Sequence, residues 1–125
     1  MSTLQAISTT QEVANRFHEL AQSGQWNLIL DELYADNAAS IEPAHSQGLQ
    51  SAEGLDAIRQ KGKQFGEAVE EMFGGYSNPP QVAGNYFTMA MGMDCKMKGM
   101  DRMKMDEIAL YEVKDGKIVK EQFFY

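Results

Sequence analysis

The sequence has few of the features that mark several large classes of protein. Its one cysteine, Cys95, excludes an internal disulfide and is typical of the reducing cytoplasm, where we expect the protein to reside. Residues 1–10 contain no Lys or Arg and no apolar run, so the sequence predicts no signal peptide. No hydrophobic stretch approaches the length of a membrane span, and no membrane partner is expected.

Basic clusters and several familiar motifs are also missing. The lysines are scattered singly in a chain of net charge −7, which argues against a nucleic-acid partner. There is no zinc-ligand spacing, P-loop, dinucleotide-binding glycine motif or nucleophile elbow. The remaining composition, 43% hydrophobic and 23% charged over 125 residues, predicts one globular domain spanning residues 1–125.

Three helices are predicted in the first part of the chain. Thr9 and Glu12 form a capping box ahead of the first helix, and residues 25–34 form the second. A third helix is predicted to begin after Ser51 and to end at Gly74–Gly75. The apolar residues at helical spacing are Val13, Phe17, Leu20 and Ala21; Trp26, Ile29, Leu30 and Leu33; and Leu55, Ile58, Gly62, Phe65, Val69 and Met72.

Strand patterns occupy residues 38–43 and most of the second half. A strictly alternating strand is predicted over residues 86–98, after which Gly99–Met100 turns the chain into a long hairpin closed by Asp115–Gly116. The order helix, helix, strand, helix, antiparallel meander predicts an α+β fold. In it, three N-terminal helices pack in the concave face of a strongly bent antiparallel sheet, giving a cone-shaped α+β barrel.

The Asp115–Gly116 turn predicts which hairpin residues share a face, because the side-chain period of a strand is two. One face carries Glu107, Ala109, Tyr111, Val113, Ile118, Lys120, Gln122 and Phe124. The other carries Asp106, Ile108, Leu110, Glu112, Val119, Glu121, Phe123 and Tyr125. Both faces are half apolar, so each is expected to cover something.

The turn at Gly99 decides which acid faces the preceding strand. A two-residue turn places Met93 opposite Asp106, whereas a three-residue turn places it opposite Glu107. The three-residue register also opposes Asp94 to Asp106, and directly facing like charges are unfavourable. We therefore favour the two-residue register, which places Asp106 in a wall of methionines.

Five short segments carry a resemblance that covers nearly the whole chain. They are Gly24-Gln25-Trp26, Leu33-Tyr34-Ala35-Asp36-Asn37-Ala38, Ile41-Glu42-Pro43, Gly54-Leu55-Asp56-Ala57-Ile58 and Asp115-Gly116-Lys117-Ile118-Val119. In order and spacing the chain resembles the nuclear transport factor two–like superfamily and, within it, the SnoaL-like polyketide cyclase group. The resemblance implies a conical pocket between sheet and helices. The superfamily includes ketosteroid isomerases, polyketide cyclases, dehydratases and proteins without catalysis, so it does not fix the function.

Ketosteroid isomerase allows a comparison residue by residue. Its proton-shuttling carboxylate matches Glu42, which stands before Pro43, but its two hydrogen-bond donors match Phe17 and Ile108. Those side chains cannot donate, so isomerisation by that mechanism is not expected. The same resemblance assigns to the pocket side Asp106, Ile108 and Leu110, with Glu121, Phe123 and Tyr125 across from them.

Four residues are candidates for proton transfer: Glu42, His45, Asp106 and Glu121. A carboxylate that faces an apolar cavity is desolvated, which raises its pKa and would make Glu42 a better base near neutral pH. His45 could relay a proton because imidazole titrates near neutrality, although the plainer interpretation is an exposed loop side chain. Asp106 and Glu121 would assist from the sheet, or Asp106 would pair with a neighbouring base and serve only the fold.

The remaining candidates are predicted to line the pocket and bind a ligand: Phe17, Trp26, Phe65, Met89, Met91, Met93, Ile108, Phe123 and Tyr125. Seven of the nine methionines fall between Met89 and Met105, and soft thioethers suit Cu(I). Residues two apart on one strand lie about 7 Å from each other, so a row along a strand cannot converge on one ion. We therefore interpret the methionines as adaptable filler of an apolar wall and predict no metal site.

Two functions fit these residues. The first is an enzyme that uses Glu42 as base, without a cofactor, to cyclise, isomerise or dehydrate a small apolar, carbonyl-containing compound. The second is a ligand-binding or structural protein without turnover, which the loss of both donors favours. In either case we expect a homodimer through the outer sheet face, because an apolar patch would otherwise be exposed. The predicted patch is Ala109, Tyr111, Val113, Ile118 and Phe124.

Overall fold

The computed structural model describes residues 7–125, and the predicted α+β class is confirmed. The helices are α1 (Thr10–Gln22), α2 (Trp26–Leu33) and α3 (Leu55–Ala68). The strands are β1 (Tyr34–Ile41), β2 (Ala52–Glu53), β3 (Val69–Ser77), β4 (Gln81–Ala83), β5 (Tyr86–Met97), β6 (Arg102–Lys114) and β7 (Lys117–Phe124).

All seven strands belong to one sheet. Their order is β2-β1-β7-β6-β5-β3, and β4 pairs with β5 beside this path. β1 runs parallel to β7 while the other pairs are antiparallel, so the sheet is mixed rather than wholly antiparallel. It is also not closed into a barrel. The parallel pair brings the end of β1 beside the end of the chain, which is where the candidate site forms.

The start of α1 is as predicted. The backbone N–H of Thr9 donates to Glu12 Oε1 at 2.9 Å, and the N–H of Glu12 donates to Thr9 Oγ1 at 3.1 Å. This reciprocal pair is the capping box, which satisfies two of the unpaired N–H groups at a helix start. Gly24 takes a φ of +71° between α1 and α2, a conformation that glycine adopts without a steric penalty.

α3 is shorter than predicted at both ends. It begins at Leu55, and the predicted cap Ser51 instead accepts a hydrogen bond from the Glu42 N–H at 2.9 Å. The predicted end at Gly74–Gly75 is wrong, because residues 69–77 form β3 and pair with β5. Helical spacing of apolar residues continues past Ala68, but pairing with the neighbouring strand outweighs this local preference.

One face of the sheet packs against α1, and we call it the inner face. The Phe17 ring of α1 lies 4.7 Å from the Tyr111 ring and 5.8 Å from the Phe87 ring, measured between centroids. Phe87 and Tyr111 stack on each other at 4.7 Å. The buried sheet residues around them are Tyr34, Ala38, Met89, Ala109, Val113 and Ile118. The opposite side of the sheet is the outer face.

A bulge in β7 decides which residues of the long hairpin face inward. The predicted turn forms, and Val113 lies opposite Ile118, but the next pair is Glu112 with Lys120. Val119 therefore has no partner in the ladder, and every later residue of β7 moves to the other face. The predicted faces, which assume an uninterrupted ladder, are wrong.

The pairs beyond the bulge assign the inner face. Tyr111 lies opposite Glu121, and Ala109 lies opposite Phe123. Glu121 and Phe123 thus face inward as expected. They share the inner face with five residues that were predicted to lie on the outer face: Glu107, Ala109, Tyr111, Val113 and Ile118. The predicted inward positions of Asp106, Ile108 and Leu110 are corrected to the outer face.

The register between β5 and β6 matches neither predicted turn. Met91 lies opposite Glu107 and Met93 opposite Met105, and residues 97–101 separate the last paired residues of the two strands. In this register Asp94 faces Lys104, so opposite charges meet where the rejected three-residue register would have opposed two acids.

Gly92 marks the point where β3, β5 and β6 approach each other closely. Gly92 lies opposite Asp106, whose Oδ1 accepts a hydrogen bond from the Tyr76 hydroxyl at 2.7 Å. A Cβ atom at residue 92 would lie 2.6 Å from Tyr76 Cε1 and 2.6 Å from the Met105 carbonyl oxygen. Contacts this short leave no room for a Cβ atom, so position 92 requires glycine.

Within residues 7–125, every helix is too short or too polar to span a lipid bilayer. The cytoplasmic location expected from the single cysteine stays a prediction.

Candidate functional site

Three glutamates and one lysine meet between the inner face and α3. Glu42 follows β1, Glu107 lies on β6, and Glu121 lies on β7. Lys61 reaches them from α3. We call these four residues the acid cluster. The parallel pairing of β1 with β7 places Ser40 beside Glu121, and the bulge in β7 turns Glu121 toward the same side.

The side chain of Glu42 is almost fully enclosed, at 4% exposure. One carboxylate oxygen forms an ion pair with Lys61, whose side chain is 11% exposed. The other oxygen accepts a hydrogen bond from the Tyr125 hydroxyl at 2.7 Å, and that hydroxyl also lies 3.0 Å from Ser46 Oγ. Both oxygens of Glu42 are therefore occupied by partners within the protein.

Glu121 is held by two hydroxyl groups. The Tyr34 hydroxyl donates to Oε1, and the Ser40 hydroxyl donates to Oε2 at 2.6 Å. Burial raises the pKa of Glu121, while the hydrogen bonds from Ser40 and Tyr34 and the charge of Lys61 act in the opposite direction. Burial, followed by the Glu121 charge, also raises the pKa of Tyr34.

Lys61 connects the two halves of the acid cluster. Besides its ion pair with Glu42, its Nζ donates to Ser40 Oγ at 2.7 Å, and Ser40 in turn donates to Glu121. Nζ also lies 5.3 Å from the centre of the Phe123 ring, within range of a cation–π contact. Among residues 7–125, Lys61 is thus the only cation close to these three carboxylates.

Glu107 differs from the other two acids, because no group within residues 7–125 forms a hydrogen bond with its half-buried carboxyl. Burial, then the charges of Glu42 and Glu121, raise the pKa of Glu107 from 4.5 to about 7, and Lys61 opposes this increase. A carboxyl group with a pKa near 7 exists in both protonation states at neutral pH. It can therefore accept and return a proton.

The structure brings some of the predicted catalytic residues together and separates others. Glu42 and Glu121 belong to the acid cluster. His45 is exposed, and its ring lies edge-on to Tyr125 with 5.9 Å between centroids, so it stands at the margin of the site. Asp106 is on the outer face and bonds Tyr76, because the register differs from the predicted one; it does not reach the site.

The predicted ligand-binding residues also divide. Phe17 and Met89 are buried in the core, and Trp26 meets Phe17 edge-on while remaining 49% exposed. Ile108 is on the outer face and 46% exposed, so its predicted place in the pocket is wrong. Phe65, Met91, Met93 and Phe123 are half-buried, and Tyr125 is exposed beside the acid cluster; the role of these five residues in ligand binding stays a prediction.

Two shallow depressions lie away from the acid cluster. One is beside β4, lined by residues 81–83 and 86–88. The other is lined by the start of α1, by the Glu32–Leu33 end of α2 and by the Asp115–Gly116 turn. Neither includes any residue of the acid cluster, so the conical pocket expected there stays a prediction.

Sequence reasoning missed Lys61, Tyr34 and Glu107 as members of the site. Lys61 had a usable signal, because it stands three residues after Ile58 and four before Phe65, on the apolar side of α3. Glu107 was assigned to the outer face because the register and the bulge were unknown. No sequence pattern indicated that Tyr34 belongs to the site, because it is the last residue of the predicted second helix, residues 25–34.

Comparison with known proteins identifies the family. The model of the SnoaL-like domain matches residues 8–125. A Mesorhizobium loti protein described as a SnoaL-like polyketide cyclase is 34% identical, and its structure superimposes with a TM-score of 0.88 over 94% of this chain and 100% of that chain. Among curated protein sequences, none matches the chain significantly.

More distant structures share the fold. A Burkholderia thailandensis nuclear transport factor two–like protein, 13% identical, gives a TM-score of 0.78 over 94% of this chain and 90% of that chain. A Catenulispora acidiphila protein with a ketosteroid isomerase-like fold, solved with trimethylamine, is 16% identical and gives 0.70 over 94% and 87%. These likenesses show that the fold is shared.

The raised pKa of Glu107 predicts how stability depends on pH. The folded protein binds this proton more tightly than the unfolded chain, so the resulting stabilisation is fully present below about pH 4.5 and is lost as the pH rises through about 7. We expect Glu107→Gln, which cannot ionise, to be more stable than the wild type at pH 8. The gain should be on the order of 2 kcal/mol and should disappear near pH 4.5.

Urea denaturation at a series of pH values measures this difference. Glu112→Gln, on the outer face of the same strand, is the matched control and should show the pH dependence of the wild type. A Glu107→Gln difference that is the same at pH 4.5 and pH 8 would contradict the burial of this carboxyl group.

Proposed function

Because the chain belongs to the SnoaL-like domain family, we propose that it binds a small apolar, carbonyl-containing compound and transfers a proton on it without a cofactor. The observation that carries the proposal is the carboxyl group of Glu107, which is half-buried on the inner face with a pKa of about 7. The reaction class is cyclisation, isomerisation or dehydration, each of which begins by removing a proton next to a carbonyl group.

Glu107 is the proton acceptor in this proposal. Its ionised carboxylate takes the α-proton of the substrate, the electrons of the broken C–H bond form an enolate, and the protonated carboxyl returns a proton at another position. General acid–base catalysis works best when the pKa lies near the working pH. Methionine side chains opposite and beside Glu107, such as Met91, supply an apolar surface that adapts to the ligand.

Lys61 and Tyr125 replace the hydrogen-bond donors that are absent at Phe17 and Ile108. Both side chains carry N–H or O–H donors beside Glu42. When the carbonyl oxygen becomes an enolate, donors that are already in place stabilise its charge. Glu42 then serves to orient these two donors. Its predicted role as the base is retained as the competing assignment, because its carboxylate lies in the same cluster.

A non-catalytic ligand-binding protein is the second candidate. The observation in its favour is that Glu42, Lys61 and Tyr125 already satisfy one another, so a substrate oxygen has to compete with Glu42 for both donors. The charge-assisted bonds of such a pair are strong, which makes the competition costly. A ligand that is only bound need not break them.

Hydrogen–deuterium exchange at the α-carbon of a small apolar ketone, such as 2-tetralone in D2O, distinguishes these assignments. We expect the wild type to catalyse exchange with a pH midpoint near 7 and Glu107→Gln to lose about 100-fold or more. Asp106→Asn, on the outer face of the same strand, is the control and should keep the wild-type rate. Loss of exchange in Glu42→Gln but not in Glu107→Gln would assign the base to Glu42. Binding of the ketone without exchange by the wild type would establish the non-catalytic function.

We further propose that the protein is a homodimer joined through the outer face. Four of the five residues in the predicted patch, Ala109, Tyr111, Val113 and Ile118, are buried on the inner face, but Phe124 is exposed on the outer face as predicted. Ile108 and Phe124 are cross-strand partners and are 46% and 48% exposed. Pairing the outer faces of two copies would cover them.

Light scattering at micromolar concentration tests the dimer. The expected mass is twice the 14.0 kDa of one chain, and Ile108→Glu should shift it toward the monomer because a charge would be buried at the centre of the contact. A wild-type mass of 14.0 kDa would rule out this assembly.

A further inference from the structure

The enrichment in methionine has no explanation in the acid cluster alone. Seven of nine methionines lie between Met89 and Met105, together with the one cysteine, Cys95. A row of sulfur atoms along one strand cannot bind a single ion, because neighbouring side chains on one face are about 7 Å apart. The pairing of the strands brings other sulfur atoms closer together.

Three sulfur-containing residues form a row across three adjacent strands. Cys95 of β5 lies directly opposite Met103 of β6 on one side and Met72 of β3 on the other. Directly opposed residues on neighbouring strands have Cβ atoms about 4.5–5.5 Å apart, well within the reach of a methionine side chain. We call Met72, Cys95 and Met103 the sulfur row. It shares the inner face with Met89, because all pairs of β5 with β6 follow one uninterrupted register.

Burial differs along the sulfur row in a way that suits a metal ion. Cys95 is completely buried, Met103 is half-buried, and Met72 is 51% exposed. The buried thiol therefore lies in the middle of the row, while the exposed Met72 at one end offers access from solvent. The adjacent row on the same face, Met93 opposite Met105, adds further apolar cover.

The charge and softness of the row determine which ion fits. A thiolate, two neutral thioethers and a monovalent cation sum to zero charge, so the complex can remain in an apolar site that would penalise a net charge. Sulfur donors favour Cu(I) over harder ions. Within residues 7–125, no group of three or more His, Cys, Asp or Glu side chains is placed to hold a metal ion, so a harder divalent ion finds no such set there.

From this juxtaposition we propose that the sulfur row binds one soft monovalent metal ion of the Cu(I) class. In the binding step the Cys95 thiol loses its proton to solvent, its sulfur bonds to the metal, and Met72 and Met103 donate lone pairs. No electron is transferred. The site is separate from the acid cluster, and it does not depend on the function proposed above.

Titration of the full chain with Ag(I), a redox-inert probe of this class, tests the site. We expect one ion to bind per chain, with release of one proton. Met72→Leu and Met103→Leu keep the side-chain volume but remove the sulfur, and each should weaken binding by about 10- to 100-fold. Met100→Leu, in the turn between β5 and β6, is the matched control and should bind like the wild type. Zn(II) should not bind.

Cys95→Ala should abolish binding, and circular dichroism of each variant verifies that it is folded. If Cys95→Ala does not fold, the double variant Met72→Leu/Met103→Leu carries the test, because Leu fills the same space. Equal Ag(I) affinity in the wild type and in the double variant would overturn the proposal, since the ion would then bind to the thiol alone. Binding of several ions per chain that persists in all variants would overturn it as well.

Discussion

The structure around the acid cluster depends on the ammonium group of Lys61. Its ion pair with Glu42 joins α3 to the end of β1, and its hydrogen bond to Ser40 extends the connection to Glu121 on β7. Taking two charges out of water is costly, and such a pair is retained only when further hydrogen bonds satisfy both groups. Here Tyr125 and Ser40 do so. Without Lys61, three acids would lie together in a poorly solvated space. The arrangement of α3, β1 and β7 at this point therefore depends on the lysine.

The same constraint explains why Glu107 is the chemically distinct member of the cluster. Glu42 has Lys61 and Tyr125, and Glu121 has Tyr34 and Ser40, so the available donors are already in use. Glu107 is left with burial and two like charges, and its pKa rises to about 7. Glu42 and Glu121 are therefore structural carboxylates, whereas Glu107 can exchange a proton. Such a division of roles between neighbouring acids is common in acid–base catalysis.

Local patterns in the sequence predicted local features well. The capping box at Thr9, the alternation of β5 and the Asp115–Gly116 turn are as expected, since each depends only on neighbouring residues. The faces of the hairpin were not predictable, because the unpaired Val119 and the five residues 97–101 between the two halves of the last β5–β6 pair shift whole strands without changing their composition. One bulge moved Glu121 and Phe123 relative to Tyr111. The register between β5 and β6 places Glu107 rather than Asp106 on the inner face. It also places Met103 opposite Cys95, which lies opposite Met72 on its other side.

The central claim is that Glu107 faces inward among the other acids with a carboxyl group that titrates near neutrality. Carbon-13 NMR of the glutamate carboxyl carbons across a pH titration measures this directly, and the signal missing from Glu107→Gln identifies the residue. We expect a midpoint near 7 for Glu107 in the wild type. A midpoint near 4.5, the ordinary value for glutamate, would show instead that the side chain is solvated and does not lie buried among the other acids.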